Sequence, residues 1–255
     1  MKMNEKAVSE AIGFVLILGI VISGIGLVTL YGYPVLVKEQ SNTDVKNMER
    51  AMIVIQNDMK SLCFKNVPYK ETSLQVSGGT LEVTNSSSYG GYMNVTTDAG
   101  FWIYPFGALT YRSDRSNEVI TLENGAVMLR QDGATGSAML AEPRWFYDNA
   151  TGTFVIYIMN ITTDTLMAKS GMTTVRMSLE NATTHPPLLS PAAITVKYET
   201  DPSGDYYSTA WENYLTGNSL GMDKTATPNE YTWKISEKPV SKLVIKEYRI
   251  KIHDL

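Results

Sequence analysis

Residues 11–37 carry no charged side chain and are mostly apolar, whereas Lys2, Glu5, Lys6 and Glu10 crowd the stretch before them and Lys38 ends the run. As an α-helix rising about 1.5 Å per residue, this run extends about 40 Å, more than the roughly 30 Å hydrocarbon core of a bilayer requires. The chain therefore has to satisfy two environments, one lipid and one aqueous. Residues 11–30 suffice to cross, which puts Tyr31 and Tyr33 at the far interface, where aromatic rings with a polar tip settle. Pro34 is expected to kink or break the helix just outside. The run exceeds the roughly 7–15-residue apolar core of a cleaved secretory signal and lacks a small-x-small ending, so the helix is expected to persist in the mature chain. Lys2 and Lys6 favour a cytoplasmic N-terminus, with the bulk of the chain on the opposite side of the cell membrane.

Gly19, Ser23 and Gly26 are spaced i, i+4, i+7 and share one helix face, where a second helix can approach closely. Glycine is also simply common in membrane helices, so the spacing carries both readings.

After Pro34 the apolar residues Val45, Met48, Met52, Ile55, Met59 and Leu62 recur at alternating intervals of three and four, an amphipathic helical stripe. Lys46, Glu49, Gln56 and Lys60 are assigned to the other faces. The stripe suits either pairing with an identical helix or packing against the chain's own β-domain; with only about two and a half heptads, the second use is favoured. Pro68 closes the helical region.

From Thr72 onward the pattern changes to short alternating runs rich in Thr, Val, Tyr and Ile: 74–77, 80–84, 92–96, 118–122, 126–130, 153–159, 173–179, 193–198, 231–235 and 243–252. Turn signals separate them at Ser77-Gly78-Gly79, Glu123-Asn124-Gly125, Gln131-Asp132-Gly133 and Asp148-Asn149-Ala150-Thr151-Gly152. Asn124-Gly125 between two β runs signals a hairpin. Asp205 can cap a helix over 206–216 that ends at Gly217, with Tyr207, Trp211 and Leu215 on its apolar face. The expected fold class is α+β: a long N-terminal transmembrane and stalk helix, then a mostly antiparallel, β-sandwich-like ectodomain with one short helix near 205–216. The expected divisions are a charged N-terminal stretch, a transmembrane helix that reaches 36, an amphipathic stalk over 37–66, and an extracellular β-rich domain over 67–255.

The 22 basic and 26 acidic residues are balanced, so no positive field draws nucleic acid. Cys63 is the single cysteine, which excludes an intramolecular disulfide, but a domain of this size buries enough core without one. His185 and His253 stand in no triad or zinc spacing. Asp201, Ser203 and Asp205 resemble a fragment of a calcium loop but lack the remaining ligands, and read as a turn and cap. No catalytic residue, metal site or cofactor is expected, and the chain is read as a non-enzyme. Asn-x-Ser/Thr sequons stand at Asn85, Asn94, Asn149, Asn160 and Asn181, all within the proposed ectodomain; Asn85 and Asn149 lie in turn-like sequence, Asn94 and Asn160 in or beside strands.

The segment Lys6-Ala7-Val8-Ser9-Glu10-Ala11-Ile12-Gly13-Phe14 resembles the start of archaeal type IV pilin-like proteins and archaellins. In those families a membrane peptidase removes a short charged leader, cutting after a small residue that follows a charged one, and leaves the hydrophobic helix in place. The resemblance implies cleavage between Ala7 and Val8, with Lys6, Ala7 and Val8 as the processing site, and so divides the N-terminal part into a cleaved charged leader, 1–7, and a transmembrane helix, 8–36. It also implies a prepilin-type peptidase and filament assembly machinery as partners, and a homo-oligomer or filament as product. Glu10 would be the third residue of the mature chain, whereas bacterial pilins carry their glutamate fifth; it is a candidate partner for a neighbour's freed amine or for headgroup water. Many archaeal pilins have proline where Glu10 stands. The stretch through Gly32, together with Asn47-Met48-Glu49-Arg50-Ala51, Gly125-Ala126-Val127 and Glu142-Pro143-Arg144, looks like a broader group of archaeal envelope proteins with pilin-like N-termini. The implied role is a pilin-like subunit or surface component; the alternative is a single-pass envelope protein that never polymerises and uses its ectodomain for adhesion or ligand binding.

Overall fold

The computed structural model describes residues 5–65, 67–200 and 207–255, with the backbone alone for 5–11. It separates into two units, Met1–Thr43 and Asp44–Leu255.

Helix α1 (Glu5–Leu27) leads through a π-helical turn (Val28–Gly32) into helix α2 (Tyr33–Phe64), whose residues up to Thr43 belong to the first unit and from Asp44 to the second. Helix therefore begins before the expected leader boundary at Ala7, and α2 begins before the expected stalk boundary at 37. Of the kink or break expected at Pro34, the helix shows no break but an irregular turn just before it. Proline lacks an N–H, and its ring crowds the carbonyl four residues back; here the preceding turn widens instead, and the Tyr33 N–H donates to the Val28 carbonyl five residues earlier. From Ile12 the helix is long and apolar enough to cross a membrane. Ile12, Phe14, Leu16, Ile20, Ile25, Leu30 and Leu36 are among its exposed large apolar side chains. Its serine and threonine hydroxyls between Ile12 and Val37 bond within the helix, Ser23 Oγ to the Gly19 carbonyl (2.8 Å) and Thr29 Oγ1 to that of Ile25 (2.9 Å), the arrangement a lipid-facing segment would need.

In the second unit the strands run β1 (Tyr69–Thr84), β2 (Gly91–Thr97, after a one-turn helix α3, Ser86–Tyr89), β3 (Gly100–Phe106), β4 (Ala108–Ser113), β5 (Glu118–Glu123), β6 (Ala126–Gln131), β7 (Ser137–Ala141) and β8 (Phe146–Asp148). There follow β9 (Thr153–Thr162), β10 (Met167–Thr184), β11 (Leu188–Leu189), β12 (Ile194–Glu199), helix α4 (Ser208–Thr216), β13 (Asp223–Lys224), β14 (Glu230–Thr232) and β15 (Lys242–Asp254). The larger sheet has the order β7-β6-β5-β4-β1-β10-β15-β9-β8, with β11 on β15, and the smaller β13-β14-β12-β2-β3. Among the described residues β9 and β15 form the one parallel pair; the rest is antiparallel, as the alternation led us to expect.

The larger sheet is the middle layer. One face packs on the stripe of α2, where Val45, Met48, Met52, Ile55, Met59 and Leu62 join Leu81, Leu109, Ile120, Val127, Met177 and Ile250 in one core. The other face packs against the smaller sheet and α4 through Met128, Phe154, Ile156, Val95, Val196 and Trp211. Strand β9 serves both: Phe154, Ile156 and Ile158 point to the smaller sheet, Met159 and Ile161 to the helix, the period-two alternation of a strand buried on both sides.

Two local expectations change. Ser77-Gly78-Gly79 does not turn the chain but bulges β1 between Val76 and Leu81, with Gly78 at φ 62. A Cβ on Gly79 would stand 2.3 Å from the Arg112 carbonyl, so glycine lets β1 continue while β4 joins its other edge at this point. Strands β3 and β4 were not expected, because Phe101, Trp102, Ile103, Tyr104, Pro105 and Phe106 run apolar on both faces and hide the alternation; β3 lies at a sheet edge, where Pro105 is tolerated. Asn124-Gly125 does form the expected hairpin, with φ 44 and 75 at its two residues. Helix α4 starts at Ser208, and Asp205 with Tyr206, like Asp201 and Ser203, lies outside the described residues.

Candidate functional site at the helix seat

Asp44, Gln56, Asp58 and Lys60 of α2 are tethered to the β-domain along the helix. Gln56, assigned from its spacing to an outer face, is 1% exposed. Its Nε2 donates to the carbonyls of Gly125 (2.7 Å) and Glu142 (3.0 Å), with that of Ala141 behind at 3.4 Å. An amide supplies two such hydrogens, so the closer pair takes both. One turn on, Lys60 Nζ donates to the same Glu142 carbonyl (3.0 Å); burial, and after it the Arg144 charge, hold this amine below its ordinary pKa, with Glu142 opposing. A further turn on, the Arg144 guanidinium lies 4.5 Å from the centroid of the Phe64 ring, a cation–π contact. Phe64 meets Tyr157 and Tyr248 edge-on at 4.9 and 5.4 Å. Asp58 binds Lys70 (3.1 Å) and the Thr72 hydroxyl (2.7 Å) of β1, and Asp44 faces Arg115 at 3.4 Å. Cys63 is buried here, its thiol pushed up to about 12 by burial against the opposing effect of Lys246, so it is packing rather than a nucleophile.

The hairpin that receives Gln56 is itself pinned. Asn124 Oδ1 accepts the Met159 N–H (3.0 Å), and a Cβ on Gly125 would meet Met159 Sδ at 2.9 Å. Gly125-Ala126-Val127 and Glu142-Pro143-Arg144, remote in sequence from Met48, thus form one seat for the helix. Position 56 offered no signal of this, since a glutamine among lysines and glutamates reads as solvated.

On the opposite face of the larger sheet, Glu123 is 0% exposed. Tyr198 Oη (2.9 Å), Trp211 Nε1 (2.8 Å) and Tyr89 Oη donate to its carboxylate, joining β5, β12, α4 and α3. Burial raises its pKa from 4.5 to about 7, opposed by the donors Tyr89, Trp211 and Tyr198. Beside it Tyr207 Oη donates to Thr121 Oγ1 (2.7 Å). Of the residues assigned to the apolar face of α4, Trp211 and Leu215 are buried on the helix and Tyr207 just before it.

The remaining sequence-derived residues are dispersed. Lys6, Ala7, Val8 and Glu10 lie in α1, where only the backbone is described. Gly19 and Gly26 have nothing within 4 Å of a Cβ position, and Ser23 shares their helix. Asn85 caps α3, its Oδ1 accepting from Ser88 N (3.1 Å) and Ser87 Oγ (2.8 Å). Asn149 is exposed in the turn before β9, Asn181 is exposed on β10, and Asn94 is half-buried on β2. Asn160 is 4% exposed, and its Oδ1 accepts the Gly107 N–H (3.2 Å) where the chain crosses between the sheets. A glycan there would have to displace this buried link.

Residues 6–251 match the Family of unknown function (DUF7289). The chain belongs to that family. The match takes in the apolar helix, the helix seat and strands of both sheets of this DUF7289 member. Comparison with curated proteins and with solved structures gave no match.

Proposed function

We propose that this DUF7289 member is a pilin-like subunit or surface component of an archaeal type IV filament system, held in the cell membrane by its N-terminal helix with the β-domain outside. One observation carries the reading: the helical stripe from Val45 to Leu62 is consumed by the chain's own β-domain, whereas the apolar side chains before it are uncovered. That surface needs lipid, or helices of other copies, to cover it. The N-terminal resemblance supports a prepilin-type peptidase acting at Lys6-Ala7-Val8, followed by transfer of the helix from bilayer to filament core. Gly19, Ser23 and Gly26 then offer the close-packing face, and Glu10 a partner for a neighbour's freed amine or a headgroup. The seat at Gln56, Lys60 and Phe64 suits this role, since it fixes the last turns of α2 on the β-domain.

The mass of protein purified from the envelope tests processing: a species beginning at Val8 is expected, and a chain retaining residues 1–7 as its only form would sink the pilin reading. Immunogold electron microscopy separates the second reading, a single-pass envelope protein. Because the α2 stripe is occupied by the chain's own β-domain, any helix-to-helix contact between copies falls to the segment before Val45. Label along filaments supports the first reading; label confined to membrane supports the second.

A further inference from the structure

The outer face of the smaller sheet carries an apolar row on its edge strand. In the β2–β3 hairpin, Met93 and Val95 point into the core, so Tyr92, Asn94 and Thr96 point outward, and so do their register partners Pro105, Ile103 and Phe101. Phe101 is 65% and Ile103 53% exposed. Exposed apolar residues on an edge strand invite pairing with other chains. Here the adjacent strand presents an intact sequon, Asn94-Val95-Thr96, on the same face. Asn94 stands opposite Ile103 and Thr96 opposite Phe101, with facing Cβ atoms about 4.5–5.5 Å apart. Thr96 Oγ1 donates to Asn94 Oδ1 (3.4 Å), and among the described residues Nδ2 has no partner. The other sequons lack this setting: Asn181 faces Arg249 across the strands, Asn149 lies in a turn, Asn85 caps α3 and Asn160 is buried.

We infer that Asn94 carries an N-linked glycan whose first sugar lies over Ile103 and Phe101 and covers the apolar row. The inference rests on the proposed outward placement of the β-domain. In the modification, Asn94 Nδ2 bonds to C1 of the first sugar of a lipid-phosphate-linked oligosaccharide; the C1–O bond to phosphate breaks, and the nitrogen's proton leaves with the lipid phosphate. The sugar ring's axial C–H face then meets the aromatic face of Phe101, while its hydroxyls face water.

Full-length protein purified from the envelope is digested and its Asn94 peptide examined by mass spectrometry, in the wild type and in Asn94→Gln. In parallel, intact cells are treated with a membrane-impermeant amine reagent to read whether the β-domain faces outward. The expected result is a glycan at Asn94 as the main form, and a several-fold rise in binding of the dye bis-ANS in Asn94→Gln. That rise should be abolished when Phe101→Ser and Ile103→Thr are added. An unmodified Asn94 on a domain labelled from outside overturns the inference alone, whereas a domain not labelled overturns the outward reading beneath it. A glycan whose loss leaves dye binding unchanged overturns the covering role. An unmodified chain that dimerises until Phe101→Ser and Ile103→Thr are introduced assigns the row to a second copy instead and also overturns it.

Discussion

A single buried carboxylate gives the β-domain a pH dependence of definite sign. Burial raises the pKa of Glu123 to about 7 from 4.5, so the folded state favours the neutral acid. Below the unfolded-state value the group is protonated in both states and contributes no difference. As pH rises towards 7 the unfolded chain ionises first, and stability is lost, on the order of 3 kcal/mol across the window. Glu123→Gln keeps the size and an acceptor but cannot ionise. Denaturant unfolding of the detergent-solubilised full chain should show the wild type losing stability relative to Glu123→Gln between about pH 4.5 and 7; parallel pH profiles would contradict the assignment. Gln56 makes the opposite kind of contribution, neutral and independent of pH. Gln56→Ala leaves the Gly125 and Glu142 carbonyls without their donor, although Lys60 still reaches the latter. The expected cost is about 2–3 kcal/mol at any pH in that range, read from the same unfolding curves.

Among the elements, α2 was the most legible. The three-and-four spacing of Val45 to Leu62 specified both helix and buried face, because that period is imposed by helix geometry whatever the partner. Truncating the stripe should therefore cost what a core cavity costs: about 2–5 kcal/mol for Met52→Ala or Ile55→Ala. Val54→Ala, on the exposed side, should stay within about 0.5 kcal/mol. Equal losses at the three positions, measured by denaturant unfolding, would argue against the seat. The Asn124-Gly125 hairpin was equally legible, since its two left-handed residues demand that pair of side chains. The π-turn before Pro34, the bulge at Gly78-Gly79 and strand β3 were not. In each case the same residues permit a break or a continuation, and neighbouring structure chooses between them.

At the scale of the whole molecule, continuity of the larger sheet depends on the last strand of the chain. β15 lies between β10 and β9, antiparallel to one and parallel to the other, and supplies Tyr248, Ile250 and Ile252 to the helix-side core and Leu243 and Ile245 to the other. Deleting residues 242–255 should therefore leave β8 and β9 detached and the β-domain open to protease. Limited proteolysis of the full-length and shortened chains checks this, and equal resistance would refute it. By itself the sequence determined the apolar span, the amphipathic helix after it and the β-rich character of the rest, because hydrophobic periodicity is a local property of each segment. Only the tertiary structure decided that β15 separates β9 from β10, that Gln56 is buried, and that Glu123 meets Tyr89, Tyr198 and Trp211. Strands pair through backbone groups common to all residues, so many pairings suit one alternating pattern, and only simultaneous burial of both faces selects among them.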